Sequence, residues 1–312
     1  MNFQQLEYII AVDHYRHFVT AAEKCFVTQA TLSTMIKKLE EELDIKIFDR
    51  SKQPVMPTSL GIKIIEQAKV IVKESQKIRE MIDQEKGILS GELKLGVIPT
   101  LAPYLLPLFI NSFIKNYPLV KLKISELTTG EIVRQLEKDH LDVGILATPL
   151  NNPNLIEDPL FYEQFVVYSS EKEKLLKKKY LLASDIDVNR LWLLEEGHCL
   201  RSQVVNLCEL REKEKKGNTL EFEAGSIETL RNIVEANQGI TILPELALRE
   251  LDRRQQKNIR FFKSPAPVRE ISIVTYRLFV KDRLARALRE EILCNIPQTL
   301  KTDRKKEVIE IF

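Results

Sequence analysis

In this 312-residue chain, the residue types and spacing most suggestive of chemistry lie in GHCLRSQVVNLC, from Gly197 to Cys208. A cysteine reacts as its thiolate, which a helix N-terminus or a nearby cation favours. Cys199 follows a glycine suited to a turn, begins a segment of helical pattern, and has His198 and Arg201 beside it. Cys208 follows nine positions later. From spacing alone, two such cysteines are more often inert packing, because a free thiol behaves as a small hydrophobe. His198 alone is likewise more often structural.

A second stretch, RHFVTAAEKCFVTQATLSTMIKKLEEELDIKIFDR from Arg16, carries groups suited to nucleic acid. The small pair Ala21–Ala22 lets a second helix pack closely, and Thr28 is a good N-cap for the helix that follows. Within that helix Leu32, Ile36, Leu39 and Leu43 share one face. Gln29, Ser33 and Lys37 form a neighbouring stripe, while Thr34 and Lys38 point away from the core. The first acid is Glu40, so the start of the helix is neutral or basic. Gln pairs its amide with adenine, Ser and Thr bond base edges or phosphates, and Lys neutralises phosphate. From spacing alone, an amphipathic helix with a solvated polar face is the simpler reading. Lys46, Arg50 and Lys52 lie in KIFDRSKQPVMPT, a hairpin-like segment suited to lie along a nucleic-acid backbone as a wing.

Composition adds boundaries. Lys plus Arg number 47 and Asp plus Glu 45, a net +2, and residues 1–90 hold 13 of each sign. No segment has the basic excess that would by itself indicate nucleic acid. Hydrophobic residues are 44% and charged residues 29%, which excludes disordered and collagen-like chains. No apolar run approaches the ~18 residues of a membrane span. The start, MNFQQLEYIIAVDHYRHF, lacks the features of a signal peptide, so a cytoplasmic protein with reduced cysteines and no membrane partner is expected.

Only one of the 10 glycines, Gly61, precedes Gly87, so the first 86 residues read as nearly all helix. From Thr58 to Leu89 one long helix is expected. Ile64, Ala68, Ile71, Ser75, Ile78, Ile82, Glu85 and Leu89 step by four and three, the spacing of a dimerising seam, although packing on its own domain is the competing reading. In KGILSGELKLG this spacing yields to period two, placing a boundary near Leu89 to Gly91. Strand-like runs follow at Glu92–Ile98, Val120–Ser125, Val143–Leu146, Phe165–Tyr168, Leu191–Leu194, Leu220–Ala224, Gly239–Leu243 and Ile271–Tyr276. Helical patterns lie at Ala102–Asn116, Thr129–Lys138, Ser226–Ala236 and Asp282–Leu293. This alternation predicts α/β units with mostly parallel sheets, arranged as two lobes around a cleft. KTDRKKEVIEIF at the end reads as a charged, mobile tail.

The stretch AAEKCFVTQATLSTMIKKLEEELDIKIFDR resembles the winged helix-turn-helix of LysR-type transcription regulators. The resemblance rests on Ala21–Ala22, Thr28–Gln29, Ser33, Ile36, Leu39–Glu40, Leu43, Phe48, Arg50, Thr58 and Gly61. It implies an α/β chain with residues 1–58 as a winged helix-turn-helix and 59–90 as a linker and dimerisation helix. Residues 91–312 would form a two-lobed, periplasmic-binding-protein-like regulatory domain. Lobe I would span about 91–162 and 269–300, and lobe II about 163–268. Double-stranded DNA is the implied partner, with Gln29, Ser33, Thr34, Lys37 and Arg50 as expected contacts. A homo-oligomer, a dimer of dimers, is implied, and RNA polymerase is a further expected partner.

LWLLEEGHCLRSQVVNLC, with SIETLRNIVEANQGITILP and VIPTLAPYLLP, resembles the hydrogen-peroxide-sensing branch of that family. Cys25, in place of the family's usual Leu, belongs to this likeness and reads as a buried packing residue; Cys294 also reads as packing. The resemblance implies Cys199 as peroxidatic and Cys208 as resolving cysteine, joined on oxidation in a disulfide. Thr100, Thr129 and His198 would hold peroxide beside the sulfur, and Arg269 would contribute to the same site. Ser202 departs from the Asp usual after CLR. No cofactor or metal is implied; a thiol reductant such as a glutaredoxin or thioredoxin would reset the switch. If residues 199–208 are one helix, nine rises of 1.5 Å separate the two Cα atoms by ~13.5 Å. A disulfide tolerates ~7 Å, so the segment must refold when the bond forms. The competing readings are a LysR regulator that binds a small metabolite in the cleft, a thiol peroxidase, and a solute-binding protein. The DNA-binding head argues against the last two.

Overall fold

The computed structural model describes all residues except 86–88, 172–176, 209–223, 278–280, 302–305, 310 and 312. The described chain falls into two compact units, Met1–Ile88 and Leu89–Phe312.

The first unit holds helices α1 (Phe3–Tyr15), α2 (Phe18–Lys24) and α3 (Gln29–Glu42), the ribbon β1 (Phe48–Asp49) and β2 (Met56–Pro57), and the long helix α4 (Ser59–Glu85). Each of the first three helices starts on a side-chain cap. Asn2 and Gln5 form a reciprocal capping box on α1, His17 accepts from Thr20, and Thr28 Oγ1 accepts from the Thr31 amide at 3.1 Å. Leu6, Ile9, Val12, Ala21, Ala22, Leu32, Ile36 and Leu39 form the core with Ile47, Phe48, Ile65 and Ala68. Leu43, expected on the same face, caps α3 and is 38% exposed, because the chain turns away there.

Helix α4 divides the expected seam. Of the seam residues, Ala68 is buried in the core of its own unit and Ile64 packs half-buried against it, beside the buried Ile65, and Lys69 pairs with Asp13 of α1 at 3.3 Å. Farther along, Ile71 and Ile78 are exposed. Of the seam positions, Ile82 and Glu85 lie within the helix, and Leu89 lies beyond it.

Among the described residues, the second unit is built on nine strands. In order they are β3 (Gly91–Val97), β4 (Val120–Glu126), β5 (Val143–Thr148), β6 (Leu155–Ser169), β7 (Tyr180–Leu181), β8 (Ile240–Pro244), β9 (Ile259–Phe262), β10 (Ala266–Tyr276) and β11 (Lys306–Val308). Helices α5 (Ala102–Asn116), α6 (Thr129–Glu137), α7 (Cys199–Leu207), α8 (Ile227–Asn237) and α9 (Asp282–Asn295) cover them. The strands pair in the order β4-β3-β5-β10-β6-β9-β7, with β8 on β6 and β11 on β10. The long strand β6 is shared. Leu155 to Gln164 pairs with β10, and Phe165 to Ser169 pairs with β8, so one strand carries the sheet from the first lobe into the second.

The pairing is mixed, which corrects the expectation of mostly parallel sheets. Strand β3 runs parallel to β4 and β5, but β6 and β10 are antiparallel to each other, and each meets further antiparallel neighbours. Two strands that pass between lobes in opposite directions must lie antiparallel. Among the described residues, the expected strand Leu191–Leu194 forms two isolated bridges, from Leu191 to Ile240 and from Leu194 to Ala224. In the expected strand Leu220–Ala224, residues 220–223 lie outside the described residues.

The tail is also corrected. Lys306–Val308 runs parallel to Ala266–Val268, the Ile309 amide donates to the Val268 carbonyl at 2.9 Å, and Ile309 and Ile311 are buried. Apolar residues spaced among the charges give this end a face to bury.

Candidate functional site

Gly197 and His198 set the entry into α7. Gly197 has φ +95, a backbone region that a side chain would strain, and it turns the chain so that His198 becomes the N-cap and Cys199 the first residue of the helix. Arg201, expected to lie beside the thiol as a cation, donates from Nη1 to the Leu194 carbonyl at 2.7 Å and ties the preceding loop to the helix. His198 is buried, with Nε2 3.6 Å from Glu195 Oε1.

Cys199 is 4% exposed and opens on a cavity of about 370 Å³. Its walls come from α6 (Thr129, Gly130, Val133), the loop after β5 (Leu150, Asn152), the α7 entry (Gly197, His198, Cys199, Ser202) and Ile311 of the tail. A water claims ~30 Å³ in the liquid, so peroxide and several waters fit. Thr129 is the first residue of α6, and its Oγ1 is buried without a hydrogen-bond partner among the described residues. A buried hydroxyl ordinarily has a partner; on a cavity wall beside a thiol, this one is free to serve a small polar guest. Thr129, His198 and Cys199 thus meet on one cavity.

Thr100 and Arg269 are not among its lining residues. They form a buried network of their own. Arg269 is fully buried: Nε donates to Glu163 Oε2 at 2.8 Å, Nη1 to Thr100 Oγ1 at 2.9 Å and Nη2 to the Thr100 carbonyl at 3.2 Å. Glu163 Oε1 accepts from the Leu246 amide at 2.6 Å. The guanidinium occupies an acceptor position of the Thr100 hydroxyl, whose proton is left to donate. Glu163 went unnoticed in the sequence; a charged residue within the apolar pattern of a strand was the available signal.

Cys208 caps the other end of α7 and is buried in the apolar core. Neither cysteine is in a disulfide. The helix between them is continuous, which sets their Cα atoms ~13.5 Å apart by its rise. Between them Gln203, fully buried, donates from Nε2 to the Ile309 carbonyl at 2.9 Å, while its Oε1 has no partner among the described residues. The tail therefore binds the middle of the helix and closes one wall of the cavity. Cys25 packs half-buried against the core of the first unit, and burial raises its pKa, with Glu7 adding to the shift. Cys294 is exposed on α9, not packed as expected.

In the first unit, α3 presents Gln29, Thr34 and Lys37 to solvent. Lys37 lies 3.5 Å from Glu41. Ser33 is half-buried and accepts from Arg50 Nη1 at 3.0 Å. Arg50 also reaches Glu40 Oε2 at 3.3 Å and lies over the Phe18 ring at 4.9 Å. Glu40, the first acid of the helix, is buried. Its Oε1 accepts from the amides of Ile47 and Phe48 at 2.8 and 3.1 Å. One carboxylate thus holds the approach to the ribbon and aims the guanidinium. Gly61 permits the closest approach: a Cβ there would lie 2.1 Å from the Ile47 carbonyl oxygen.

Residues 3–62 match the family model of the bacterial regulatory helix-turn-helix protein, lysR family, and residues 86–296 match the LysR substrate binding domain. The chain is 35% identical over 276 residues to the hydrogen peroxide-inducible genes activator of Haemophilus influenzae, covering 88% of this chain and 90% of that one. It is also 35% identical over 274 residues to the DNA-binding transcriptional dual regulator OxyR of Escherichia coli K12, covering 88% and 89%. The structure resembles the full-length OxyR C199D of Pseudomonas aeruginosa with a TM-score of 0.73 and 32% identity, over 95% and 99% of the two chains. The chain belongs to the LysR family, in its OxyR branch. Ser202 places a neutral hydroxyl on the cavity wall.

Proposed function

We propose that this OxyR-branch chain is a cytoplasmic regulator that binds double-stranded DNA and senses hydrogen peroxide through Cys199. The observation that carries the reading is the thiol of Cys199 at the first residue of α7, facing a cavity it shares with His198 and the unpartnered Thr129 hydroxyl. A cysteine reacts as its thiolate. The thiolate attacks one peroxide oxygen; an S–O bond forms, the O–O bond breaks, and hydroxide leaves to take up a proton. Thr129 and His198, which line the cavity, supply the polar groups that receive peroxide and its departing oxygen, while Thr100 and Arg269, bonded to each other outside the lining, would act on the site only from behind it. The resulting sulfenic acid condenses with the Cys208 thiol, forming the disulfide and releasing water. Together the two thiols lose two electrons and peroxide becomes two waters. The reductant that resets the bond is a dithiol such as a thioredoxin or glutaredoxin.

A ~13.5 Å separation against a ~7 Å limit requires α7 to unwind. Unwinding would break the bond from Gln203 to Ile309 and so remove one anchor of the tail, whose pairing with β10 remains. Rearrangement there would alter how regulatory domains pair in a dimer of dimers, joined through the exposed Ile71–Ile78 side of α4. The spacing of the DNA-binding heads and their contact with RNA polymerase would change in turn. On DNA, Gln29, Thr34 and Lys37 face the groove, and Ser33 and Arg50 act as a bonded pair on the phosphates. The event is stoichiometric signalling, not turnover.

The test is intact mass with thiol labelling before and after limited peroxide. The expected result is loss of two hydrogens confined to the peptide holding Cys199 and Cys208, absent in Cys199→Ser. Labelling of Cys199 that peroxide never changes would sink the reading, as would sustained peroxide turnover with a reductant for the sensor role. A second reading has one observation in its favour. Val133, Leu150 and Ile311 make the cavity partly apolar and larger than peroxide requires, which suits a small metabolite. A regulator of that kind would keep its response in Cys199→Ser.

A further inference from the structure

Phe26 lies in the turn between α2 and α3, two positions before the Thr28 N-cap. It is 96% exposed, the highest exposure among the large hydrophobic residues described. Its φ is +57, the left-handed region, which costs any residue with a Cβ and which Gly or Asn would fill more easily. Neither the core nor the turn therefore calls for an aromatic ring at this position.

The surface beside it is equally particular. Thr28, Gln29, Ala30 and Thr31 are all exposed, and the first turn of α3 holds no acid. A solvated helix end usually carries charge; this one offers hydroxyls, an amide, a methyl and, next to them, a bare ring. In a helix-turn-helix, the N-terminal residues of the second helix meet base edges. Of the groups in the major groove, the one a phenyl ring can recognise is the thymine 5-methyl.

We infer that Phe26 is a DNA-contacting, specificity-determining residue that packs against a thymine methyl at the edge of each half-site. The inference rests on the DNA-binding reading of the first unit. It adds an apolar contact to the polar ones on α3, and it places that contact in the turn rather than on the recognition helix.

The full-length reduced protein is first used to enrich binding sites from a random duplex pool. Each thymine of the enriched site is then replaced by deoxyuridine, which removes only the methyl. Wild type should lose three- to tenfold in affinity at one thymine per half-site. Phe26→Ala should bind the thymine duplex about tenfold more weakly and be indifferent to uracil at that position, while keeping its sensitivity elsewhere. Phe26→Asn, which relieves the backbone, should unfold no more easily than wild type and show the same indifference.

Equal affinity of wild type and Phe26→Ala would overturn the inference, as would a weakened variant that still responds to every uracil. A variant that changes oligomeric state in sedimentation but keeps its affinity for DNA would show the ring to be a protein contact and overturn it too. A wild-type protein that enriches no sequence would overturn the DNA-binding reading itself, and the inference with it.

Discussion

The head and the cysteine helix treat buried polarity in opposite ways. In the first unit, the buried carboxylate of Glu40 is fully used: two backbone amides and Arg50 share its oxygens. Among the described residues, the buried side-chain polar atoms without a partner all lie in the second unit: Thr129 Oγ1, Ser170 Oγ, Gln203 Oε1 and Arg231 Nε. Two of these, Thr129 and Gln203, belong to the cavity wall and to the helix between the cysteines. A satisfied buried network specifies one arrangement, whereas an unsatisfied one lowers the cost of leaving it. On the proposed reading, the head is expected to keep its shape when the cysteines are oxidised, and the cysteine helix to change its own.

The widest contrast should come from Glu40→Ala. It strands two buried amides and a guanidinium, and we expect the head to lose about 3 kcal/mol, with Cys199 labelling unchanged. Urea unfolding of the first unit, beside Cys199 kinetics, checks both halves; a loss shared equally by both units would erase the distinction. Next comes a chain ended at Val308. Without Ile309 and Ile311 the cavity lacks a wall and Gln203 a partner, so a bulky thiol reagent should reach Cys199 roughly tenfold faster, the equivalent of ~1.4 kcal/mol of lost protection. The same truncation should leave the melting of the head untouched.

Thr129→Val probes the orphan directly. Removing an unpartnered buried hydroxyl should stabilise the second unit, or leave it unchanged, by up to about 1 kcal/mol. The reaction with peroxide should nevertheless slow, which stopped-flow measurement would reveal. A Thr129→Val protein that is less stable but equally reactive would mean that the hydroxyl serves structure. The smallest effect concerns pH. Burial, then the bonds to Glu228 and Glu235, raise the phenol pKa values of Tyr104 and Tyr168 above the ordinary value near 10. A raised folded-state pKa stabilises below the unfolded value and is lost as pH climbs beyond it. Stability of the second unit should therefore decline above about pH 10, and Tyr104→Phe or Tyr168→Phe should flatten that decline in alkaline melts.

Much of the scaffold was legible because it is local. The spacing of Leu32, Ile36 and Leu39 produced α3, the Thr28 cap its start, and helix α5 was expected at the bounds it has. The period-two alternation of Leu93, Leu95 and Val97 produced β3. The first half of β6 was missed because Glu157, Asp158 and Pro159 interrupt any alternation; the strand is held by its pairing with β10. The site divided in the same way. Gly197, His198 and Cys199 are adjacent in sequence, and their turn-and-helix pattern could be read there. Their meeting with Thr129 and Ile311 could not, because those residues come from α6 and the tail.

The amino-acid sequence by itself determined the helix-turn-helix, the start of α7, and the nine-residue separation that keeps two cysteines apart on one helix. These follow from caps, glycines and periodicity, which act within a few residues. Only the tertiary structure decided that Glu40 faces inward, that Arg269 is spent on Glu163 and Thr100, and that the charged tail closes the cavity. Burial and partner choice depend on which surfaces meet, and a residue's neighbours in the chain do not encode them.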